Sequence, residues 1–192
     1  MTTVDPAATG VDRPARIRAA LRELVAEHGF HGASMSAVAK RAGVATGTAY
    51  VHYESKDELV LAAYVEVKTE LSAAAVAGVD LRLPAPQRFA AVWSNIYDHL
   101  AAEPTRARFL LQVDASPYAV VAHERAMERP GDELAATMAD VADLLVDLPP
   151  VLVFELAIGP AITSIASGGS LTEVERERLS ACCWRAVTVP AD

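Results

Sequence analysis

Hydrogen-bonding side chains are concentrated in one short stretch near the amino-terminal end of the chain. Five donors fall within eleven positions: Thr46, Thr48, Tyr50, His52 and Lys56. Hydroxyls and a lysine that reach phosphate oxygens fix the register of a protein on DNA, while one or two residues read base edges. Small residues at Ala45, Gly47 and Ala49 would let backbone N–H groups at a helix start approach phosphates closely. The stretch therefore predicts a DNA contact.

Two short helices joined by a tight turn would position these donors. An inner stripe with i, i+3, i+4, i+7 spacing marks the first helix and consists of Met35, Val38, Ala39 and Ala42. Ser34 precedes that stripe and is a suitable cap. Gly43 ends the helix, because a left-handed backbone is cheap there. A second helix is predicted over about 46–53. The pattern is that of a helix-turn-helix, whose second helix enters the DNA major groove.

A longer pattern surrounds this motif. Its residues are Gly29-Phe30, Val38-Ala39, Ala42-Gly43-Val44, Thr46-Gly47-Thr48-Ala49-Tyr50, His52-Tyr53 and Ser55-Lys56-Asp57-Glu58-Leu59. On these residues the stretch resembles the TetR (tetracycline repressor) family of bacterial regulators. The resemblance covers about a quarter to a third of the chain, and the rest is similar only in length and helical texture.

The resemblance implies a role for each motif residue. Thr46 would face a base edge, and phosphates would be contacted by Ser34, Thr48, Tyr50, His52 and Lys56. Ala45 stands where the family often has serine, so the recognition helix lacks its usual cap unless Thr46 serves. Glu54 would repel phosphate and is expected to point away from the DNA.

Charge is distributed unevenly along the chain. The net charge is −8, but residues 1–57 hold seven Lys/Arg against six Asp/Glu, and residues 58–192 hold ten against nineteen. The neutral-to-basic end therefore carries the DNA interpretation, and repulsion would hold the acidic remainder off the phosphate backbone. Apolar residues make up 52% of the chain, which favours a full core over disorder.

Other chemistry has little support in the sequence. No nucleophile elbow, P-loop or G-x-G-x-x-G is present, so no catalytic residue and no cofactor are expected. The two cysteines, Cys182 and Cys183, are adjacent and cannot form an unstrained bridge. His99 and His123 lack the spacing of a metal site, and none is expected. The first twelve residues are polar, without a signal peptide, so a cytoplasmic location is expected.

The whole chain predicts an all-α fold of about nine helices. A flexible arm would occupy 1–12, a three-helix helix-turn-helix domain 13–57, and a helical-bundle ligand-binding and dimerisation domain 58–192. The first helix would run over about 13–28, with Asp12 as its cap, His28 on its apolar stripe and four surface arginines. Later helices are expected over about 56–77, 86–102, 104–113, up to 127, 132–146 and 172–187.

The helix at 86–102 carries a regular apolar stripe that includes two polar-tipped rings, Trp93 and Tyr97. Plain core is one interpretation of this stripe, and the wall of a ligand cavity is the other. The candidate ligand-binding residues along the domain are Trp93, Tyr97, Phe109, Tyr118, His123, Met138, Phe154 and Glu155.

Residues 148–170 hold a single charge, Glu155. A membrane span is rejected, because Pro160 and Glu155 lie inside the stretch and no basic cluster flanks it. A helix that is apolar all round is instead buried on both sides, against its own core and against a twin subunit. The resemblance implies a homodimer through the last two helices, about 149–187. Glu155 would meet Arg185, a ligand amine or solvent, and the sequence leaves these alternatives open.

The hypothesis is a ligand-responsive transcriptional regulator, most often a repressor in this family. It would bind a near-palindromic double-stranded DNA operator as a homodimer and be released by a small apolar or aromatic effector. The alternative is an all-helical small-molecule binding protein or enzyme that has lost operator reading. A membrane-anchored protein is a more distant third.

Overall fold

The computed structural model describes residues 12–128 and 133–189. Within these ranges the regular elements are α-helices and one 3₁₀ helix, Ala139–Leu144, so the predicted all-α class is confirmed. The α-helices are α1 Arg13–Gly32, α2 Met35–Ala42, α3 Thr46–His52, α4 Lys56–Val76, α5 Ala85–Ala102, α6 Pro104–Asp114, α7 Ala119–Met127, α8 Glu133–Thr137, α9 Pro150–Ala166 and α10 Glu173–Val187. The predicted arm lies outside the described residues, except for Asp12.

The chain divides into two compact units, Met1–Tyr64 and Val65–Asp192. We call the described part of the first unit the head and that of the second the body. The division falls within α4, whereas the sequence placed the boundary near the start of that helix. One continuous helix therefore contributes residues to both units.

The head is built from α1, α2, α3 and the first turns of α4. Its fully buried side chains come from each of these helices and include Ile17, Leu21, Val25, Val38, Ala49 and Leu59. Helix α1 bends at Gly29, which has φ 66° and ψ −176°, and resumes to Gly32 instead of ending. Asp12 makes no side-chain cap bond. His28 is exposed and Arg22 is buried, so both were wrongly placed from the sequence.

The body packs α5, α6, α9 and α10 around a core that contains Trp93, Ile96, Leu100, Phe109 and Ile162. The indole Nε1–H of Trp93 donates to the carbonyl of Ala157 at 3.0 Å. Pro160 interrupts α9 and has no N–H for the carbonyl four residues earlier. The Trp93 bond therefore joins α5 to α9 beside the point where the helix ladder is weakest.

One predicted helix, 132–146, is wrong. The described residues form the short helix α8 and then the 3₁₀ helix, separated at Met138, which has φ −105° and ψ 9°. The backbone beyond them pairs with the end of the chain: the N–H of Val146 donates to Val187, and that of Val189 to Leu144, both at 2.9 Å. These bonds require extended backbone where the sequence pattern suggested helix. Asp132, where the predicted helix begins, lies outside the described residues.

Helices α9 and α10 keep apolar side chains exposed on the single chain, including Leu152, Leu156 and Val174. Thr172 caps α10, because its hydroxyl accepts from the Glu175 N–H at 3.3 Å and the Glu175 carboxylate accepts from the Thr172 N–H at 2.8 Å. Cys183 and Val187 are buried, whereas Cys182 and Ala186 are exposed. Among the described helices, none has both the length and the apolar character to cross a membrane.

Candidate nucleic-acid interface and body cavities

The turn between α2 and α3 is fixed at both of its ends. Ser34 caps α2, because its hydroxyl accepts from the Ala37 N–H at 3.2 Å. Gly43 takes the left-handed conformation, with φ 66° and ψ 38°, and the following Val44 N–H donates to Ala39 at 2.9 Å. The Arg16 guanidinium donates to the Ala42 carbonyl, and a Cβ at Gly43 would lie 2.8 Å from Arg16 Nη2. The turn therefore specifies glycine by its conformation, and a side chain there would also displace the end of Arg16.

Two buried side chains hold α3 against the rest of the head. Ala49 is fully buried and Tyr53 is 6% exposed. The Tyr53 hydroxyl accepts from Arg18 Nη1 at 2.6 Å and donates to the carbonyl of Pro14 at 3.4 Å. These contacts fix the rotation of α3 about its axis, and so decide which of its residues face outward.

The outward face of α3 carries the predicted DNA-binding residues. Thr46, Gly47 and His52 are exposed, Tyr50 is 52% exposed, and Thr48 is half-buried. Val51 is 81% exposed, although the sequence analysis gave it no role. An exposed methyl on such a face is suited to the C5-methyl of thymine. No spacing signal singles out Val51; only the direction of α3 reveals it.

The first turn of α3 is not capped by a side chain. Ala45 is the N-cap residue, with φ −68° and ψ 146°, and makes no side-chain cap bond. The N–H of Thr48 donates to the Ala45 carbonyl at 2.9 Å, so the helix ladder begins there. The N–H groups of Thr46 and Gly47 precede the ladder and point out of the helix end. Thr46 does not serve as the cap.

Lys56, which was predicted to contact a DNA phosphate, also binds a backbone group of the protein itself. Its Nζ donates to the carbonyl of Phe30 and lies 5.8 Å from the centroid of the Phe30 ring. Next to it, Ser55 caps α4 by accepting from the Glu58 N–H at 3.1 Å, and the Glu58 carboxylate accepts from the Glu54 N–H at 2.8 Å. This segment therefore fixes the start of α4.

Several basic residues of the head are committed to the fold. Arg16 and Arg18 bind the α2 end and Tyr53, as described, and Arg41 holds α2 on α1 through Glu27 at 2.8 Å and Glu23 at 2.9 Å. The hydrogen bond from Arg41 lowers the pKa of Glu27. Arg13 and Lys40 are exposed. Among the basic residues of the head, those two therefore remain as further candidates for phosphate contact.

The body contains two adjoining cavities. The first, which we call the Lys68 cavity, has a volume of about 360 Å³ between α4, α7, α8 and α9, and its wall includes Lys68, Leu71, His123, Met127 and Phe154. The second, the Val187 cavity, has a volume of about 530 Å³ and is lined by α5, the 3₁₀ helix, α9 and the end of α10. Both volumes lie in the range of small-molecule sites, roughly 300–1,000 Å³.

The cavities include some of the predicted ligand-binding residues and leave out others. His123 lines the Lys68 cavity, Met138 the Val187 cavity, and Phe154 both. Neither wall includes Trp93, Tyr97, Phe109, Tyr118 or Glu155. The polar tips of the first two rings have backbone partners: Trp93 donates to Ala157, and the Tyr97 hydroxyl accepts from the Leu171 N–H at 2.8 Å. The interpretation of this pair as core therefore fits the structure better.

Charged groups gather at one side of the Lys68 cavity. Lys68 Nζ lies 3.3 Å from the centroid of the Phe154 ring, a cation–π contact. His123 Nε2 lies 2.9 Å from Asp114 Oδ1. Burial raises the pKa of Glu155, and the nearby Asp114 carboxylate adds to the effect, while His123 and Lys68 oppose it. Within the described ranges, no three His, Cys, Asp or Glu side chains are grouped so as to hold a metal ion.

Comparisons with known proteins agree with the geometry of the head. Residues 17–63 match the family described as bacterial regulatory proteins, tetR family. An HTH-type transcriptional regulator of Haemophilus influenzae that is itself uncharacterised is 28% identical over 181 residues, 92% of this chain and 96% of the relative.

Two further matches differ in how much of the chain they cover. The HTH-type transcriptional regulator UidR of Escherichia coli is 47% identical, but over 47 residues that make up 24% of either chain. A crystal structure of a TetR-family transcriptional regulator from Haemophilus influenzae superposes with a TM-score of 0.74 and 26% identity, covering 96% of this chain and 100% of the other. A short stretch is thus more similar in sequence than the chain as a whole, and the similarity in fold covers nearly the whole chain.

Proposed function

We propose that this chain, which belongs to the TetR family of transcriptional regulators, is a repressor that binds a near-palindromic DNA operator as a homodimer and is released by a small apolar or aromatic effector. One observation carries the DNA-binding part of the proposal. Helix α3 buries Ala49, its C-cap residue Tyr53 is also buried, and the helix exposes Thr46, Gly47, Tyr50 and His52. A helix held this way presents its polar side to a DNA groove.

The proposed contacts follow the direction of each side chain. Thr46, at the exposed start of α3, reads a base edge, with Val51 as a candidate for a thymine methyl. Tyr50, His52, Thr48 and Lys56 contact phosphates, as does Ser34 at the start of α2. Around Ala45 and Gly47 the backbone approaches a phosphate closely, because an uncapped helix end carries a partial positive charge. Acting on bacterial DNA places the protein in the cytoplasm.

We place the dimer interface on the last two helices, about 149–187. Leu152 and Leu156 on α9 and Val174 on α10 are between 41% and 54% exposed on the single chain, so both helices present apolar side chains that a second copy could cover. A second copy that packs α9 and α10 against this surface would form a four-helix interface. Its two-fold symmetry would present two copies of α3 to the two half-sites of an operator.

The body cavities are the proposed effector site. Helix α4 contributes Lys68, Leu71 and Ser72 to the Lys68 cavity, and the same helix begins in the head. A ligand that prefers the conformer unable to bind the operator would lower operator affinity by its differential affinity for the two states. Helix α4 is the element through which we expect that preference to act.

The proposal is tested with two of the exposed polar residues of α3, Thr46 and Tyr50. Thr46→Ala and Tyr50→Ala should each weaken operator binding by about tenfold to a hundredfold, since a good base or phosphate contact is worth ~1–3 kcal/mol. The operator is first obtained by selection from random DNA, and affinity is measured by fluorescence anisotropy. Thr69→Ala on the exposed surface of the body is the matched control. Equal affinities for all four proteins would contradict the proposal and favour a ligand-binding protein without operator reading.

A further inference from the structure

The two cavities share a wall that one side chain could open. Leu134, Pro150 and Phe154 line both cavities, and Phe154 is the largest of the three. Its ring is held by the Lys68 ammonium at 3.3 Å from the centroid. A cation–π contact of this kind contributes only about 0.5–2 kcal/mol, so a bound molecule can displace it. With the ring turned aside, the cavities would form one elongated space.

Charges of both signs lie around that space, but they differ in how strongly water screens them. Lys68 is half-buried, and the linings of both cavities contain no other lysine or arginine. The acids in the two linings are Glu124 and Asp147, and both are exposed. Water screens an exposed charge more strongly than a half-buried one. The ammonium therefore has more influence on the cavity than either carboxylate.

Two further acidic side chains, Asp114 and Glu155, compete only weakly with a ligand for the Lys68 ammonium. Asp114 lies 2.9 Å from His123 Nε2, which engages one of its oxygens. Glu155 lies outside both linings, and burial raises its pKa. Its side chain is therefore neutral over a wider pH range than that of an ordinary glutamate. A carboxylate brought by a ligand is a stronger partner for an ammonium than an aromatic ring is. The cavity is thus suited to an anion on the Lys68 side and to apolar groups elsewhere.

We infer that the effector is an elongated amphiphile with a single acidic group, whose acid pairs with Lys68 and whose apolar body passes Phe154 into the Val187 cavity. The inference rests on the proposed function, because it names the chemical class of the effector. Binding would add an ion pair to Lys68 and displace the Phe154 ring from its contact with the ammonium. It would also free the Phe154 ring to admit the apolar body, so the acid and the length of the ligand are recognised together.

Calorimetric titration of the full chain with three probes of equal length tests the inference. Decanoate should bind at least tenfold more tightly than 1-decanol or decyltrimethylammonium. Lys68→Met should remove the preference for decanoate over decanol, and Lys68→Arg should retain it. Arg82→Met, which removes an exposed charge that is paired with Asp80 and is part of neither lining, should behave as the native chain. Circular dichroism checks that every variant is folded.

Chain length tests the role of Phe154. From hexanoate upward, each added methylene should tighten binding by roughly fourfold, the equivalent of about 0.8 kcal/mol, until the space is filled. Phe154→Ala removes the ring that must turn, so it should shift the preference towards longer alkanoates. An unchanged order of affinities across the length series in Phe154→Ala would contradict passage beside this residue.

The outcomes separate this inference from the proposed function. Tightest binding of the cation, an unchanged preference in Lys68→Met, or no binding of any probe overturns the acidic class, whatever the protein does on DNA. Operator affinity is measured in parallel with saturating decanoate. Lys68-dependent binding of decanoate without any loss of operator affinity supports the ligand class and contradicts release by the effector.

Discussion

The head and the body differ in how they place their polar groups. In the head, α3 turns its small and aromatic anchors inward and leaves its hydroxyls exposed. In the body, the polar tips of Trp93 and Tyr97 turn inward and bind backbone groups, while the cavities are lined mainly by apolar side chains, with Lys68 as the one lysine in the two linings. The hydroxyl groups exposed on α3 are therefore available for a surface contact, whereas the polar tips of these two rings in the body are used in packing bonds.

The difference arises from the span of chain that builds each site. The proposed DNA-binding surface is a seven-residue helix with its flanking turn, so residue spacing within α2 and α3 describes it. The Lys68 cavity takes residues from α4, α7, α8 and α9, from Lys68 to Phe154. Four separate helices meet there only through tertiary packing, which no local spacing encodes.

The largest expected effect comes from a charge placed under α3. Ala49→Asp buries a carboxylate at a fully buried position and should destabilise the head by several kcal/mol. DNA binding should be lost, while the body keeps its cavity and its ligand binding. Thermal unfolding and calorimetric titration of one sample would show this. Ala90→Asp, at an exposed position on α5, is the control, and equal damage from both changes would contradict an independent head.

A smaller effect is expected from Trp93→Phe in the body. The change keeps an aromatic ring but removes the bond to the Ala157 carbonyl, so it should lower stability by about 1–2 kcal/mol. Ligand affinity should stay within about twofold, because Trp93 lines neither cavity. A large loss of ligand affinity at unchanged stability would instead return Trp93 to the binding site, as one interpretation of the sequence had it.

Most local features of the head could be predicted from the sequence. Ser34 as a cap, Gly43 as a left-handed stop and the inner stripe of α2 each depend on neighbours within a few residues, and all three are present. The same reasoning missed the burial of Arg22 and the internal bond of Lys56, because their partners lie elsewhere in the fold. Val51 was missed for a related reason: an isolated valine gives no sign of facing outward.

In the body, sequence reasoning found the helices better than their contacts. The boundaries of α5 and α6 differ from the expected ones by one residue. The predicted helix over 132–146 failed because pairing between Val146 and Val187, which are far apart in sequence, outweighs local helical periodicity. Lys68 was not a candidate, since one lysine on a long helix resembles any solvated residue until Phe154 is placed beneath it.

A third prediction distinguishes the contact of Lys56 with the Phe30 carbonyl from its proposed contact with a DNA phosphate. Lys56→Met keeps the aliphatic stem but loses the bond to the Phe30 carbonyl and any phosphate contact. Stability should fall by about 0.5–1.5 kcal/mol, and the salt dependence of operator binding should flatten by roughly one unit. Thermal unfolding and anisotropy over a range of salt concentrations give the two values. A stability loss with an unchanged salt slope would restrict Lys56 to its structural role.

The smallest expected effect is a pH dependence in the body. Because the pKa of Glu155 is raised above its ordinary value of 4.5, the folded protein holds a proton there that the unfolded chain releases. Stability therefore falls as pH rises from 4.5 through the raised pKa. Glu155→Gln should melt slightly higher than the native chain at neutral pH, and the gap should close below pH 4.5. Glu128→Gln, at an exposed position, should leave the melting temperature unchanged at both pH values.

The most direct test of operator reading by α3 is the selection of random double-stranded DNA by the purified chain at moderate salt, with Tyr50→Ala in parallel. A head that reads an operator from α3, in a dimer joined through the body, should enrich an inverted repeat. Tyr50→Ala should fail to enrich it. The spacing between half-sites would then measure the separation of the two α3 helices. Enrichment of no sequence by the native chain, even after unfolding, washing and refolding to remove any bound ligand, would contradict the claim.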